Sequence, residues 1–210
     1  MNLSDYFDAV FCINLERRKD RLAQAKEEFE KHSIQVEFIT GVDGLTLNIP
    51  KMISTDGQIV SRGDIGCAIS HLKVAKIAKE QNLKKYLVFE DDAQLKDDFN
   101  ALFPVFYKQV PEDYQFLYFG GNHNGGLMMV SENIARIYRT FTTHAYAVNG
   151  SDPRDAIIEV LSKENEKVDI AIASLHHKFR SYCFRPHIAF QRASYSDILE
   201  RHTDYQHLRQ

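Results

Sequence analysis

The chain has 210 residues, 44% hydrophobic and 26% charged, the balance of a folded globular protein. Lys plus Arg number 26 against 29 Asp plus Glu, a net charge of -3, so the basic excess of a general nucleic-acid binder is missing and no nucleic-acid partner is expected. No apolar run reaches transmembrane length and residues 1–9 lack a signal-peptide core, so the expected compartment is the cytoplasm.

The predicted elements alternate. Ala9 to Ile13 is a continuous apolar run and the first expected strand. A helix is expected over 17–32, with Leu22, Ala25 and Phe29 on one face and Glu27, Glu28, Glu30 and Lys31 toward water. Val36 to Ile39 reads as a second strand, ending in a turn at Gly41 and Gly44. Residues 45–62, with Pro50 and Gly57, are expected to be irregular. A helix over 64–81 carries apolar residues on more than one face, so it is expected to be covered on more than one side.

Tyr86 to Phe89 is an apolar run of the kind buried on both faces of a parallel sheet, and it runs into three consecutive acids, Glu90, Asp91 and Asp92. A helix over 97–108 and a strand over 115–119, closed by Gly120 and Gly121, complete a β-α-β order that implies a mostly parallel sheet. Short extended pieces are expected at 127–130, 136–140, 145–148, 181–185 and 188–191, with helices over 152–162 and 167–179. The last ten residues are polar and are expected to be disordered or to pack on the surface. No linker or repeat divides the chain, so one α/β domain over 1–210 is expected.

Several motifs have chemistry to offer. Acids at the carboxyl end of a strand sit where open α/β sheets bind ligands. Glu90 and Asp92 repel each other unless a cation such as Mn2+ or Mg2+ joins them, while a solvated acidic turn is the plainer alternative. The polar loop from Asn14 through Arg17 to Arg21 can meet a nucleotide and its phosphates, or simply start a helix. Gly63 and Gly66 at a helix start permit close approach of a ligand or tight packing. His71 is a lone histidine on a helix, more often structural than catalytic; Thr142-Thr143-His144 also reads as a polar strand end; and an acid near a helix start, such as Asp169, is more often a dipole partner or cap. Cys12, Cys67 and Cys183 are too few and too scattered for a disulfide framework or a zinc site, and Cys12 and Cys67 are expected to be buried and inert.

In order, these motifs resemble glycosyltransferase family 25, the lipooligosaccharide galactosyltransferase type. The resemblance rests on Ile13-Asn14-Leu15 with Arg17, Arg18, Asp20 and Arg21; on Val42-Asp43-Gly44; and on Gly63-Asp64-Ile65-Gly66-Cys67 followed by Ser70-His71-Leu72, with Asp64 where Glu is usual. It continues through Phe89-Glu90-Asp91-Asp92, Leu117 to Gly121, Thr143-His144-Ala145-Tyr146, Val168-Asp169 and Ser196-Asp197-Ile198.

The resemblance implies a GT-A-like fold, a UDP-sugar donor, a divalent metal (commonly Mn2+), and inverting transfer of a hexose, typically galactose. The acceptor it implies is a glycan or glycolipid such as lipooligosaccharide, compatible with peripheral association at the inner membrane face. Glu90 and Asp92 then form a DXD-like metal signature. Asn14, Arg17, Asp43, Gly63, Asp64, Ser70, His71, Gly120, Gly121 and His144 are expected at the substrate. Asp169 is the expected general base, with Asp64 and Asp197 as competitors. A metal-dependent sugar-nucleotide hydrolase and a noncatalytic binding module are the alternatives.

Overall fold

The computed structural model describes residues 2–198 and 201–204, so part of the polar tail, residues 205–210, lies outside the described residues. In chain order the first half holds β1 (Ala9–Asn14), α1 (Lys19–Lys31), β2 (Glu37–Thr40), β3 (Met52–Ile53), β4 (Ile59–Val60), α2 (Arg62–Glu80), β5 (Lys85–Glu90), β6 (Ala93–Leu95) and α3 (Phe99–Tyr107). The second half holds β7 (Phe116–Tyr118), β8 (Asn122–His123), β9 (Leu127–Met129), β10 (Ile134–Ile137), β11 (Thr140–Phe141) and β12 (Ala145–Asn149). It continues with α4 (Ser151–Leu161), α5 (Val168–Ala173), β13 (Ser181–Phe184), β14 (Ala189–Gln191), β15 (Ser194–Ser196) and β16 (Arg201–Thr203).

An 8-stranded sheet runs in the order β2-β1-β5-β12-β7-β13-β10-β9. Strands β2, β1, β5, β7, β13 and β9 point one way, and β12 and β10 run against them. The expected mostly parallel sheet is present, with β12 inserted in reverse between β5 and β7.

Period-two alternation distributes these strands over two cores. Val10, Cys12, Leu87, Phe89, Ala145 and Ala147 pack toward α1 and α3. Phe11, Ile13, Tyr86, Val88, Tyr146 and Val148 pack toward α2, α4 and α5. The first core is strongly aromatic: Phe103 meets Phe7, Phe99, Phe119 and Phe184 at ring-centroid distances of 5.6–6.3 Å. Such offset and edge contacts add to the burial of apolar area.

Most expected elements are found within a few residues of their predicted ends. The segment 45–62 contains the small β3–β4 ribbon. The helix expected over 167–179 is only Val168–Ala173, and His176 beyond it is used instead as an acceptor for the Thr140 N–H and a partner of the Tyr118 hydroxyl. Glu28 does not face water: it is buried, accepts the Leu95 N–H at 2.9 Å and meets Arg192 at 3.0 Å. Among the described residues no helix is long and apolar enough to cross a membrane.

Candidate active site

A cavity of about 630 Å3 opens at the carboxyl ends of β1 and β5. It is lined by Arg17, Asp43, Gly63, Asp64, Ser70, His71, Glu90, Asp92 and Asp169 among the residues expected at a site.

The alternation that sorts the core also sorts the three acids. Glu90 continues the Tyr86 and Val88 side and turns toward α2. Its Oε1 accepts the Thr143 hydroxyl at 2.6 Å and meets His71 Nε2 at 3.3 Å. Burial alone would raise its pKa, but the hydrogen bonds and charge of His71 and the Thr143 hydroxyl bring it below the ordinary carboxylate value. Asp91 turns the other way, onto α1: Oδ2 accepts the Asn14 amide at 2.7 Å and Oδ1 pairs with Arg21 at 2.8 Å.

Asp92 lies between these two. Arg21 approaches its Oδ2 at 3.3 Å, as does the Gln191 amide, while Oδ1 is buried and accepts nothing among the described residues. Burial and the charges of Glu90 and Asp91 push its pKa up against the pull of Arg21. Ionised Asp92 therefore lacks a partner among the described residues for one buried oxygen, and Asp92 and Glu90 both line the cavity. Two carboxylates with only oxygen donors suit a hard divalent ion, so the residues present fit Mn2+ or Mg2+. The strand pair β6–β14 brings Gln191 and the Arg192 N–H to Asp92, the latter bonding the Asp92 carbonyl at 2.7 Å.

Helix α2 is placed by local chemistry. Ser61 caps it by accepting the Asp64 N–H at 3.1 Å, and Asp64 accepts the Ser61 N–H at 2.8 Å in a capping box. A Cβ at Gly66 would stand 2.7 Å from the Val42 carbonyl oxygen, so this glycine serves the packing of α2 onto the 41–44 turn. Ser70 holds the same turn, accepting the Val42 N–H at 2.8 Å and donating to the Gly66 carbonyl at 2.6 Å. The turn presents Asp43, which pairs with Arg17 at 2.6 Å.

Asp169, in the first turn of α5, lines the same cavity. Its oxygens accept the Ile170 N–H at 2.9 Å and the Thr142 N–H at 3.4 Å, and burial raises its pKa. Thr142 has φ 72°, a left-handed conformation costly for a β-branched residue. It aims its own N–H at Asp169 and puts Thr143 on Glu90. Asp197, the other expected competitor for the base, is bonded to both Arg17 and Arg18.

Four expected substrate residues do not line the cavity. Asn14 stands behind it, clamping Asp91. A Cβ at Gly120 would stand 2.0 Å from the Ala189 carbonyl oxygen, and at Gly121 2.7 Å from Thr140, so these glycines admit neighbouring chain. His144 is buried, with Nε2 bonded to the Ala189 carbonyl. Arg21, Thr143 and Gln191 do reach the acids but were not expected at the site. Arg21 and Thr143 do fall within the motifs that carry the resemblance, Arg21 one turn after Arg17 and Thr143 beside His144, whereas Gln191 belongs to none of them. Cys67, expected to be buried, is half-buried and lines the cavity.

A family profile, Glycosyltransferase family 25 (LPS biosynthesis protein), matches residues 7–182. Procollagen galactosyltransferase 2 of Mus musculus is 30% identical over 129 residues, covering 54% of this chain and 21% of that protein. Inactive glycosyltransferase 25 family member 3 of Mus musculus is 33% identical over 105 residues, covering 44% and 18%. The match thus spans about a fifth of the length of these relatives. The crystal structure of galactosyltransferase LgtC, in complex with donor and acceptor sugar analogs, superposes with a TM-score of 0.47 at 11% identity, covering 95% of this chain and 91% of that one.

Proposed function

The chain belongs to glycosyltransferase family 25, and from that premise we propose that residues 1–210 form one GT-A-like domain that moves a hexose, galactose by preference, from a UDP-sugar to a glycan acceptor such as lipooligosaccharide. The observation that carries this reading is that Glu90 and Asp92 together line a 630 Å3 cavity, with the buried Oδ1 of Asp92 unpartnered among the described residues. Glu90 and Asp92 would hold Mn2+ or Mg2+, which when bound offsets the charge of the leaving nucleotide diphosphate.

The protein's own residues do the rest. Arg17 and Asp43, joined by an ion pair at the cavity rim, take the nucleotide, and Arg62 and Lys167 add positive charge to the same cavity. Gly63, Asp64, Ser70 and His71 form the wall beside the donor sugar. Asn14 acts one step back by fixing Asp91.

Asp169 takes the proton from the acceptor hydroxyl as that hydroxyl attacks the anomeric carbon. Its rivals have other commitments: Asp64 closes the capping box, and Asp197 pairs with Arg17 and Arg18. Asp169 accepts only backbone N–H bonds among the described residues, and its raised pKa makes it a stronger base than an exposed carboxylate.

The test is product analysis with UDP-hexoses in Mn2+, with and without a glycan acceptor. The reading expects a hexosylated glycan and UDP release that depends on the acceptor. Release of free hexose at the same rate in both arms makes the chain a hydrolase. Donor binding without any turnover makes it a binding module.

A further inference from the structure

We propose that Cys67, His71 and Glu90 form a second cation site in the wall of this cavity, one that takes a thiophilic divalent ion such as Zn2+. The Cys67 sulfur, a His71 ring nitrogen and a Glu90 carboxylate oxygen lie within 4.8 Å of one another. Tetrahedral zinc, with bonds of about 2.0–2.3 Å, sets its ligand atoms roughly 3–4 Å apart, so small side-chain adjustments close the set. No other three His, Cys, Asp or Glu residues among the described ones bring ligand atoms this close.

The fold supplies each ligand for a separate reason. Cys67 and His71 are four residues apart on α2, the spacing at which one helix face offers two ligands. Glu90 ends β5 and turns toward that face. All three line the cavity, which leaves a fourth position open to water or substrate.

The supporting contacts suit a metal ligand. His71 Nδ1 lies 3.0 Å from the Tyr146 hydroxyl, and the ring stacks on Tyr146 at 5.7 Å. The hydroxyl can accept from Nδ1–H, freeing the Nε2 lone pair for an ion, and this outer contact fixes the ring. Thr143 steadies Glu90 by donating to Oε1, the oxygen that meets His71, at 2.6 Å. Asp64, Asp92 and Asp169 line the same cavity and make it attractive to a dication.

A set of sulfur, nitrogen and oxygen prefers zinc to Mg2+ or Mn2+, whereas the Glu90–Asp92 pair prefers the hard ions. Glu90 belongs to both sets. If the transferase reading holds, zinc here draws on a ligand the donor site needs and weakens Mn2+-dependent donor binding.

Cobalt replaces zinc as a visible probe, and the measurement needs no donor, so it stands or falls apart from the transferase reading. Purified protein titrated with Co2+ should show the charge-transfer absorption of a cobalt–thiolate bond, and Zn2+ should bleach it. Cys12 and Cys183 are fully buried, so the thiolate signal belongs to Cys67. The signal should vanish in Cys67→Ser and in Cys67→Ala, each verified as folded by circular dichroism. Zn2+ affinity in both should fall by at least about 10-fold, the lower end of what even an outer-shell change removes. A parent protein with no thiolate band overturns the proposal. So does a Cys67 variant that binds zinc as tightly as the parent, for example through His123 and His187, whose Nε2 atoms lie 2.9 Å apart.

Discussion

The two walls of the cavity treat their acids in opposite ways. On the wall made by the first loop, α1 and the 194–198 segment, each carboxylate meets an arginine: Asp43 and Asp197 with Arg17, Asp197 with Arg18, Asp91 with Arg21. On the wall made by α2, the end of β5, the 142–144 turn and α5, the partners are hydroxyl, imidazole and backbone N–H. Asp92 stands at the junction, with one oxygen near Arg21 and one bare. The paired wall is electrostatically complete by itself. The other holds negative charge in a poorly solvated place, an arrangement that weakens the fold and is kept where a cation or a proton is handled.

The largest expected effect lies on the unpaired wall. Asp169→Asn removes the proposed base and keeps one of its two acceptor oxygens, so turnover should fall by roughly 10²–10⁴-fold, the usual worth of general base catalysis. Donor affinity by calorimetry should stay close to the parent value. Near-parental turnover would move the base elsewhere, and lost donor binding would make Asp169 a binding residue.

The paired wall should fail in stability instead. Arg21→Met leaves Asp91 buried beside Glu90 and Asp92 with no cation, and breaking such a pair costs about 3–5 kcal/mol. Urea unfolding with an unchanged slope and a lower midpoint is the expected record. A variant as stable as the parent would mean that water reaches Asp91 and that this wall is not closed.

How much of this division was legible in the sequence follows from the range of the contacts. The acids of the unpaired wall stand out because Glu90 and Asp92 are neighbours at the end of an apolar run. Strands β1, β5 and β7 are legible for the same reason, since a continuous apolar run reports burial on both faces. It does not report direction, so the reversal of β12 between β5 and β7 left no local trace. Arg21 pairs with Asp91 across 70 residues, and Gln191 reaches Asp92 across 99, only because β14 adds to β6. The capping box of Ser61 and Asp64 is local, yet the helix was expected only from 64 with Asp64 at the substrate, and Gly120 looked like a ligand approach but proves to admit the Ala189 backbone.

A smaller effect separates stability from function at the junction. Because burial and the acids raise the Asp92 pKa, the unfolded chain loses this proton at lower pH than the folded one. The resulting penalty is absent at acid pH and grows as pH rises from the ordinary carboxylate range through the raised value. In metal-free protein at pH 8, Asp92→Asn should therefore stabilise the fold, by about 0.5–2 kcal/mol. Thermal melts at pH 4 and pH 8 check this: the gain should shrink at the lower pH. A destabilised variant at both would show that Asp92 is satisfied without a cation.

The same substitution measures most directly whether Glu90 and Asp92 hold the cation that secures a nucleotide-sugar donor. UDP-hexose binding is followed by calorimetry in Mn2+ and again with chelator, for the parent and for Asp92→Asn. Mn2+ should strengthen donor binding to the parent, and this enhancement should be largely lost in the variant, with the weak metal-free binding little changed. An equal Mn2+ enhancement in both proteins would contradict this metal-binding role.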